Sequence, residues 1–294
     1  PRIGGGLKKA VFIGHNALGD TLCTTPVIRA FRGANPEVFI IYVVQNAGFC
    51  RVLDGNPDID LVLYNEWMYL HGMTRFSQEW LHSLPLDLAE TTLLYQFDIR
   101  QVCTTAEAFQ EHISIGFSKL LGIPIESVRP VVTISPEEER LARCFTAMPY
   151  VVFSMHSIAN PLLDNGQGRA KDWPPENWLC LAGQIRNWGD FDVIAVGSEK
   201  DTQTASPLIR NLYGLPIKIV AALLREAACV VTLENGIAHL CAAVDAPTVE
   251  IYSDIVPRAW ANPAESTCCR VFFGNPREIG CAEIAAAVKS RCMS

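Results

Sequence analysis

The chain has 294 residues, 49% of them hydrophobic, and a formal net charge of −7. Such a chain can bury two cores of ordinary size, and its acidic balance argues against the basic face of a nucleic-acid binder. No apolar run reaches the roughly 18–20 residues of a membrane span, and the start, Pro1-Arg-Ile-Gly-Gly-Gly6, lacks the apolar segment of a secretory signal. Opening on Pro rather than Met, the chain reads as a trimmed or excised product. The eleven cysteines are scattered and show no Cys-x-x-Cys spacing. Neither a metal site nor a disulfide framework is expected, and Cys23, Cys180, Cys229 and Cys241, which fall in apolar runs, read as small buried hydrophobes of a reduced, cytoplasmic protein.

Residues 10–13 are a short apolar run, read as a strand, that ends in a Gly/Asn/Asp turn. Residues 21–31 then carry apolar side chains at helical spacing until Asn35-Pro36 stops them. The unbroken run 38–44 has the character of a central parallel strand covered on both faces. A short helix near 47–53 and a strand at 61–64 follow. Through 65–90 the periodicity is weak, with loops and one helix expected near 76–82. A strand at 93–97 and a helix at 105–121 come next, and a helix at 135–147 sits beside an interdomain joint. The second series reads strand 150–155, helix 175–187, strand 191–196 and helix 201–212. A helix at 220–227 feeds the strand beginning at Cys229, then a helix at Gly236, a strand at 248–252 and a closing helix at 276–291. Strands alternating with helices twice over predict an α/β chain of two doubly wound parallel-sheet domains, 1–147 and 148–294. Ligands of such sheets sit beyond the carboxyl ends of the strands, here expected in a cleft between the halves.

Four stretches carry candidate chemistry. In His15-Asn-Ala-Leu-Gly-Asp20, Asp20 reads either as the N-cap of the coming helix or as a general base, and His15 is a competing base. In Gly168-Arg-Ala-Lys-Asp-Trp-Pro-Pro175, Trp173 anchors the loop and the prolines start a helix. Lys171 there is either a solvated lysine or a phosphate ligand, with Arg169 the weaker candidate. In Ala195-Val-Gly-Ser-Glu-Lys-Asp201, Glu199 or Asp201 suits a ribose diol, or Asp201 caps the next helix. In Glu234-Asn-Gly-Ile-Ala-His239, a helix starting at Gly236 offers N–H groups and a positive dipole end to a phosphate. Glu234 stands beside it for sugar hydroxyls, and His239 is either a phosphate donor or a core histidine. Arg51, Arg75 and Arg100 are candidates for an anionic acceptor group, or surface and ion-paired arginines. No Gly-x-Gly-x-x-Gly follows the first strand and no P-loop occurs, which argues against a nicotinamide enzyme and an NTPase.

Together, Gly19-Asp20 with Thr25-Pro26 behind it, Lys171-Asp-Trp-Pro174, Val196-Gly-Ser-Glu-Lys-Asp201, Glu234-Asn-Gly-Ile-Ala-His-Leu-Cys-Ala-Ala243 and Pro257-Arg-Ala-Trp260 resemble glycosyltransferase family 9. These are the ADP-heptose:lipopolysaccharide heptosyltransferases and their relatives, and the order and spacing agree across nearly the whole chain. The resemblance implies a GT-B fold and inverting sugar transfer that needs neither metal nor cofactor. It makes 1–147 the acceptor-binding domain and 148–294 the donor-binding domain. It implies Asp20 as the base, Lys171 on the diphosphate, Asp201 or Glu199 on the ribose and Glu234 on sugar hydroxyls. Asn235, Gly236 and His239 would line the phosphate pocket. The implied partners are a nucleoside-diphosphate sugar, ADP-linked first, and a glycan or glycolipid acceptor of lipopolysaccharide biosynthesis, met by a cytoplasmic protein peripheral at the inner membrane. Three positions depart from the pattern. The family commonly has Asp, then Ser or Thr, where Glu234 and Asn235 stand, and a basic residue where Gly14 stands. A sugar-nucleotide epimerase or hydrolase, and a non-catalytic nucleotide- or glycan-binding module, are the alternatives that the residues leave open.

Overall fold

The structure, a computed structural model, describes residues 8–14, 17–44, 51–64, 92–103, 109–157, 170–261 and 269–293. His15, Arg75, Arg169 and the helix expected near 76–82 lie outside these residues, and Arg100 is described by its backbone alone. The chain divides into two compact units, Pro1–Thr133 and Ile134–Ser294.

The first unit contains β1 (Lys9–Ile13), α1 (Leu18–Ala34), β2 (Phe39–Val44), β3 (Leu61–Tyr64), β4 (Thr92–Gln96), α2 (Ile99–Val102) and α3 (Ile113–Leu121). Its sheet runs β3-β2-β1-β4 with every pair parallel. The apolar run 38–44 becomes β2, all but its first residue buried, as a strand covered on both faces requires. The chain leaves β1 toward β2 and β3 on one side and returns to β4 on the other, so the strand order reverses between β1 and β4.

Helix α1 carries Pro26 in its interior, where a proline removes the N–H that would bond the carbonyl four residues back. That carbonyl belongs to Leu22, and it accepts instead from Thr25 Oγ1 at 2.6 Å. Thr25 Oγ1 in turn accepts from Val131 N at 2.8 Å, tying the helix to the end of the unit. The Thr25-Pro26 pair is thus a self-repairing break. The helix expected over 105–121 starts only at Ile113, where His112 is its N-cap and accepts from Ser114 N through Nδ1.

The second unit contains α4 (Pro136–Arg143), β5 (Tyr150–Ser154), α5 (Pro175–Arg186), β6 (Asp192–Ala195) and β7 (Arg210–Asn211). It continues through α6 (Ile217–Glu226), β8 (Cys229–Leu233), α7 (Gly236–Val244), β9 (Thr248–Ser253), β10 (Cys269–Gly274) and α8 (Cys281–Cys292). Its six parallel strands are ordered β10-β9-β8-β5-β6-β7. The chain starts at β5, builds outward through β6 and β7, then crosses back to β8. The reversal falls between β5 and β8, the doubly wound arrangement in which ligands bind beyond the strand ends. Val151, Phe153, Val231 and Ile251 form one core with Trp178 and Leu181 of α5 and Ile284 and Val288 of α8.

Two expectations need correction, and one strand was unforeseen. Helix α4 belongs to the second unit, ahead of the joint drawn at 147/148, because Glu138 and Glu139 pair with Lys218 (3.2 Å) and Arg225 (2.9 Å) of α6. Residues 201–212 do not form a helix. Pro207 stands inside the stretch and disfavours helical backbone at the residue before it, and Asn211 enters β7 while its amide donates to Thr204 O at 2.9 Å. Strand β10 was missed, since Arg270 and Gly274 leave only the three apolar residues 271–273 between them; it is an edge of the sheet.

Candidate functional site

The loops after β5 and β8 meet at the reversal point of the second sheet, and Asn235 joins them. Its Nδ2 donates to Ser154 Oγ at 3.0 Å and to the His156 carbonyl at 2.7 Å. Its Oδ1 accepts from Ile237 N (2.9 Å), Ala238 N (3.3 Å) and Thr232 Oγ1 (3.2 Å). Asn235 is therefore the N-cap of α7 and also the bolt between two strand ends. Both amide hydrogens are committed, so the side chain fixes the pocket's frame and has none left for a ligand. The expected row of open N–H groups is shorter than the sequence implied: Asn235 takes those of Ile237 and Ala238, leaving the Gly236 N–H and the dipole at the tip.

Glu234 precedes this cap, and its carboxylate pairs with Lys171. Lys171 is only 7% exposed, which excludes the solvated-lysine reading. Its loop is held from three sides. Trp173 is buried and donates through Nε1 to Ile279 O at 2.8 Å. The Trp173 ring meets Trp178 edge-on at 4.9 Å, and Ser253 Oγ donates to Ala170 O at 3.4 Å. Ser157 Oγ donates to Glu234 O at 3.0 Å, completing the link between the two loops. A buried ammonium, a carboxylate and a helix N-terminus thus converge beyond β5 and β8.

The turn after β6 supplies a second cluster. Asp201 does not cap a helix; its Oδ2 accepts from Ser198 N at 2.7 Å and closes its own turn. Tyr213 lies beside it, and burial together with the Asp201 charge pushes its phenol up to about 12. His156 Nε2 stands 3.0 Å from Thr202 O and 3.2 Å from Tyr213 Oη. Glu199 is exposed and lies over Gly214, where the backbone has φ +76 and an added Cβ would come within 2.5 Å of Glu199 Cγ. His156, Ser154, Ser157 and Tyr213 were not singled out from sequence. A histidine immediately beyond a continuous apolar strand was the available signal for the first of them. His239 is half-buried in the first turns of α7.

In the first unit, the N-cap of α1 is Ala17, not Asp20, and no side chain caps this end. Asp20 lies in the first turn, half-buried, where the helix dipole favours a carboxylate. Burial first, and then the Asp20 charge, hold the thiols of Cys23 and Cys103 above their ordinary range, and the Tyr42 phenol likewise. The carboxylate thus stands just beyond the carboxyl end of β1, close enough to Cys23, Tyr42 and Cys103 for its charge to act on them. Gly14 has a steric explanation: a Cβ there would stand 2.4 Å from Tyr42 Oη, itself bonded to Thr24 at 2.8 Å. Arg51 is 77% exposed and 4.0 Å from Asp54, an ion-paired surface arginine.

Two doubly wound parallel α/β units define the chain as GT-B-like, and solved structures of that class agree. A family 9 glycosyl transferase from Veillonella parvula superposes with a TM-score of 0.74 at 16% identity, over 97% of each chain. The E. coli ADP-heptose lps heptosyltransferase II gives 0.67 at 17% identity, over 97% of this chain and 98% of that one. At such identities the likeness speaks for the fold. The chain belongs to glycosyltransferase family 9: a family model described as "Glycosyltransferase family 9 (heptosyltransferase)" matches residues 79–277. That stretch includes Lys171, Asp201 and Glu234; Asp20 lies before it. Lipopolysaccharide heptosyltransferase 2 of Salmonella typhimurium is 33% identical over 103 residues, covering 31% of this chain and 29% of that protein. Lipopolysaccharide heptosyltransferase 1 of Escherichia coli K12 is 29% identical over 93 residues, covering 30% and 29%. These matches thus span less than a third of either relative.

Proposed function

We propose that the protein is an inverting glycosyltransferase that moves heptose or a related sugar from a nucleoside diphosphate, ADP first, to a hydroxyl of a glycan or glycolipid. The reading is carried by one observation: a buried lysine, a carboxylate and a helix N-terminus meet at the reversal point of the second sheet in a family 9 chain. An E. coli heptosyltransferase of similar fold, TM-score 0.66 at 15% identity over 96% of this chain and 99% of that one, was solved with ADP-2-deoxy-2-fluoro heptose. That neighbour supports the choice of ADP and of heptose.

The chemistry follows from what such a transfer needs. The acceptor oxygen forms a bond to the anomeric carbon as the bond to the diphosphate breaks, and the hydroxyl proton passes to Asp20. A positioned base of this kind contributes about 10²–10⁴-fold. The departing diphosphate gains charge, which Lys171 and the Gly236 end of α7 stabilise as fixed positive groups without a metal ion. Glu234 accepts from sugar hydroxyls, Asp201 from the ribose with Glu199 as its exposed substitute, and His239 completes the phosphate side. The second unit binds the donor and the first binds the acceptor. Arg75 and Arg100 are the acceptor-side candidates, Arg51 being ion-paired with Asp54 at the surface. No helix among the described residues is long and apolar enough to cross a membrane, and a cytoplasmic protein meeting a lipid-linked acceptor at the membrane surface suits this reading.

The test is incubation with ADP-, GDP- and UDP-sugars and a glycan acceptor, with and without EDTA. Sugar appearing on the acceptor from the ADP donor, undiminished by EDTA, is the expected result. Free sugar would mark a hydrolase, and binding without turnover would mark a non-catalytic module. Asp20→Asn should keep donor affinity and lose about 10²–10⁴-fold in turnover; full activity in that variant removes Asp20 from the role.

A further inference from the structure

We propose that Cys180 and Cys281 form an oxidisable dithiol site that closes to a disulfide and staples α5 to α8. Cys180 lies on α5 with its side chain exposed, not buried as its apolar run implied, and Cys281 is the buried first residue of α8. Gln184 Nε2 donates to both sulfurs at 3.5 Å each, so one amide nitrogen bridges the two thiols. The approach is fixed by its surroundings. Trp173 Nε1 and Asn177 Nδ2 both donate to the carbonyl of Ile279, two residues before Cys281, and so dock the start of α8 against the start of α5. Of the other described cysteines, Cys23, Cys229 and Cys241 are buried, and Cys144 donates to its own helix at Arg140 O.

This asymmetry suits a two-step exchange with a low-molecular-weight disulfide such as glutathione disulfide. The exposed Cys180 loses its proton and attacks, its sulfur bonds to one glutathione, and the second glutathione leaves as a thiol. Cys281 then loses its proton and attacks the Cys180 sulfur, releasing the first glutathione. Two protein thiols are oxidised and one glutathione disulfide is reduced to two thiols. Burial, and then the neighbouring Cys180 thiol, push the Cys281 thiol up to about 12, so closure is the slower step. The loop closed in this way contains Asp201, Glu234 and Asn235, while Lys171 lies nine residues before Cys180.

The test uses the whole chain with glutathione disulfide, quenching by iodoacetamide and mass analysis of the peptides. The expected product joins the peptides of Cys180 and Cys281, two hydrogens lighter than the separate thiols, and dithiothreitol reverses it with a fall in Tm. In Cys281→Ser, Cys180 should hold a stable glutathione adduct. In Cys180→Ser, at an exposed position that folding tolerates, Cys281 should stay reduced. Cys281 remaining alkylatable in denaturant after Cys180 has reacted, or pairing with another cysteine in Cys180→Ser, would overturn the proposal.

Discussion

Lys171 holds a charge at a nearly closed position, and Glu234 is the group that makes this tolerable. Removing one member of a buried pair costs about 3–5 kcal/mol because the other charge is left uncompensated; Glu234 is partly open to solvent, so the lower end applies. Glu234→Gln is therefore expected to lower Tm. It should also show a larger thermal shift with ADP than the parent chain, because the diphosphate would take over as counter-ion to Lys171. Calorimetry in ADP checks the companion case: Lys171→Ala should bind the nucleotide at least tenfold more weakly, and unchanged affinity would remove Lys171 from the phosphate site. Each residue was visible as a candidate in the sequence. Their pairing was not, because they stand 63 positions apart and no local rule links a loop lysine to a particular strand end. The departure at these positions also has a physical sense. Asn caps a helix as Ser or Thr does, and the longer Glu side chain reaches the buried ammonium.

Helix ends decide where the two loops stand. Asn235→Ala would lose the cap of α7, worth about 1 kcal/mol, and also the bonds to Ser154 and His156 that hold β5's loop to β8's. Its loss of donor affinity should exceed that of Ser135→Ala, which removes a capping box of α4 remote from the strand ends. Both variants should lose about 1 kcal/mol or more of stability by denaturant titration, but only the first should impair ADP binding. Elements with strong local signals were legible: the continuous apolar strands, the helix opened by Pro174-Pro175, and the Ser135 start with its Glu138 partner. Residues 201–212 misled because their apolar spacing suits a helix while Pro207 and the β7 pairing forbid it. Strand β10 was illegible because an edge strand lacks the double coverage that produces an apolar run.

The fold class follows from alternation alone, but the boundary between units does not, since it depends on which helix α4 packs against. The same packing gives the molecule its response to pH. Burial pushes the Tyr150 and Tyr213 phenols from the ordinary 10.0 up to about 12, with Glu226 and Asp201 adding to it. A raised pKa means that the folded state favours the neutral phenol. This contribution is complete below about pH 10 and lost as pH rises toward 12. Glu138 acts in the opposite sense. Burial raises its pKa, but bonds from Ser135 and the Lys218 charge outweigh that and hold it below 4.5. Its contribution is present above that pH and lost on acidification. A Tm profile should therefore be flat near neutrality and fall on both flanks, and Tyr213→Phe should flatten the alkaline limb.

The central strands of the second sheet, β5 at 150–154 and β8 at 229–233, are neighbours in space but far apart along the chain. No hairpin can bring them together, so they meet only after the whole β6–α6 segment has emerged and crossed over. During synthesis, Asn235 has no partners at Ser154 and His156 until that late event. The candidate site is thus among the last parts of the protein to exist, and a nascent chain halted before residue 235 would carry the complete first unit but lack this site.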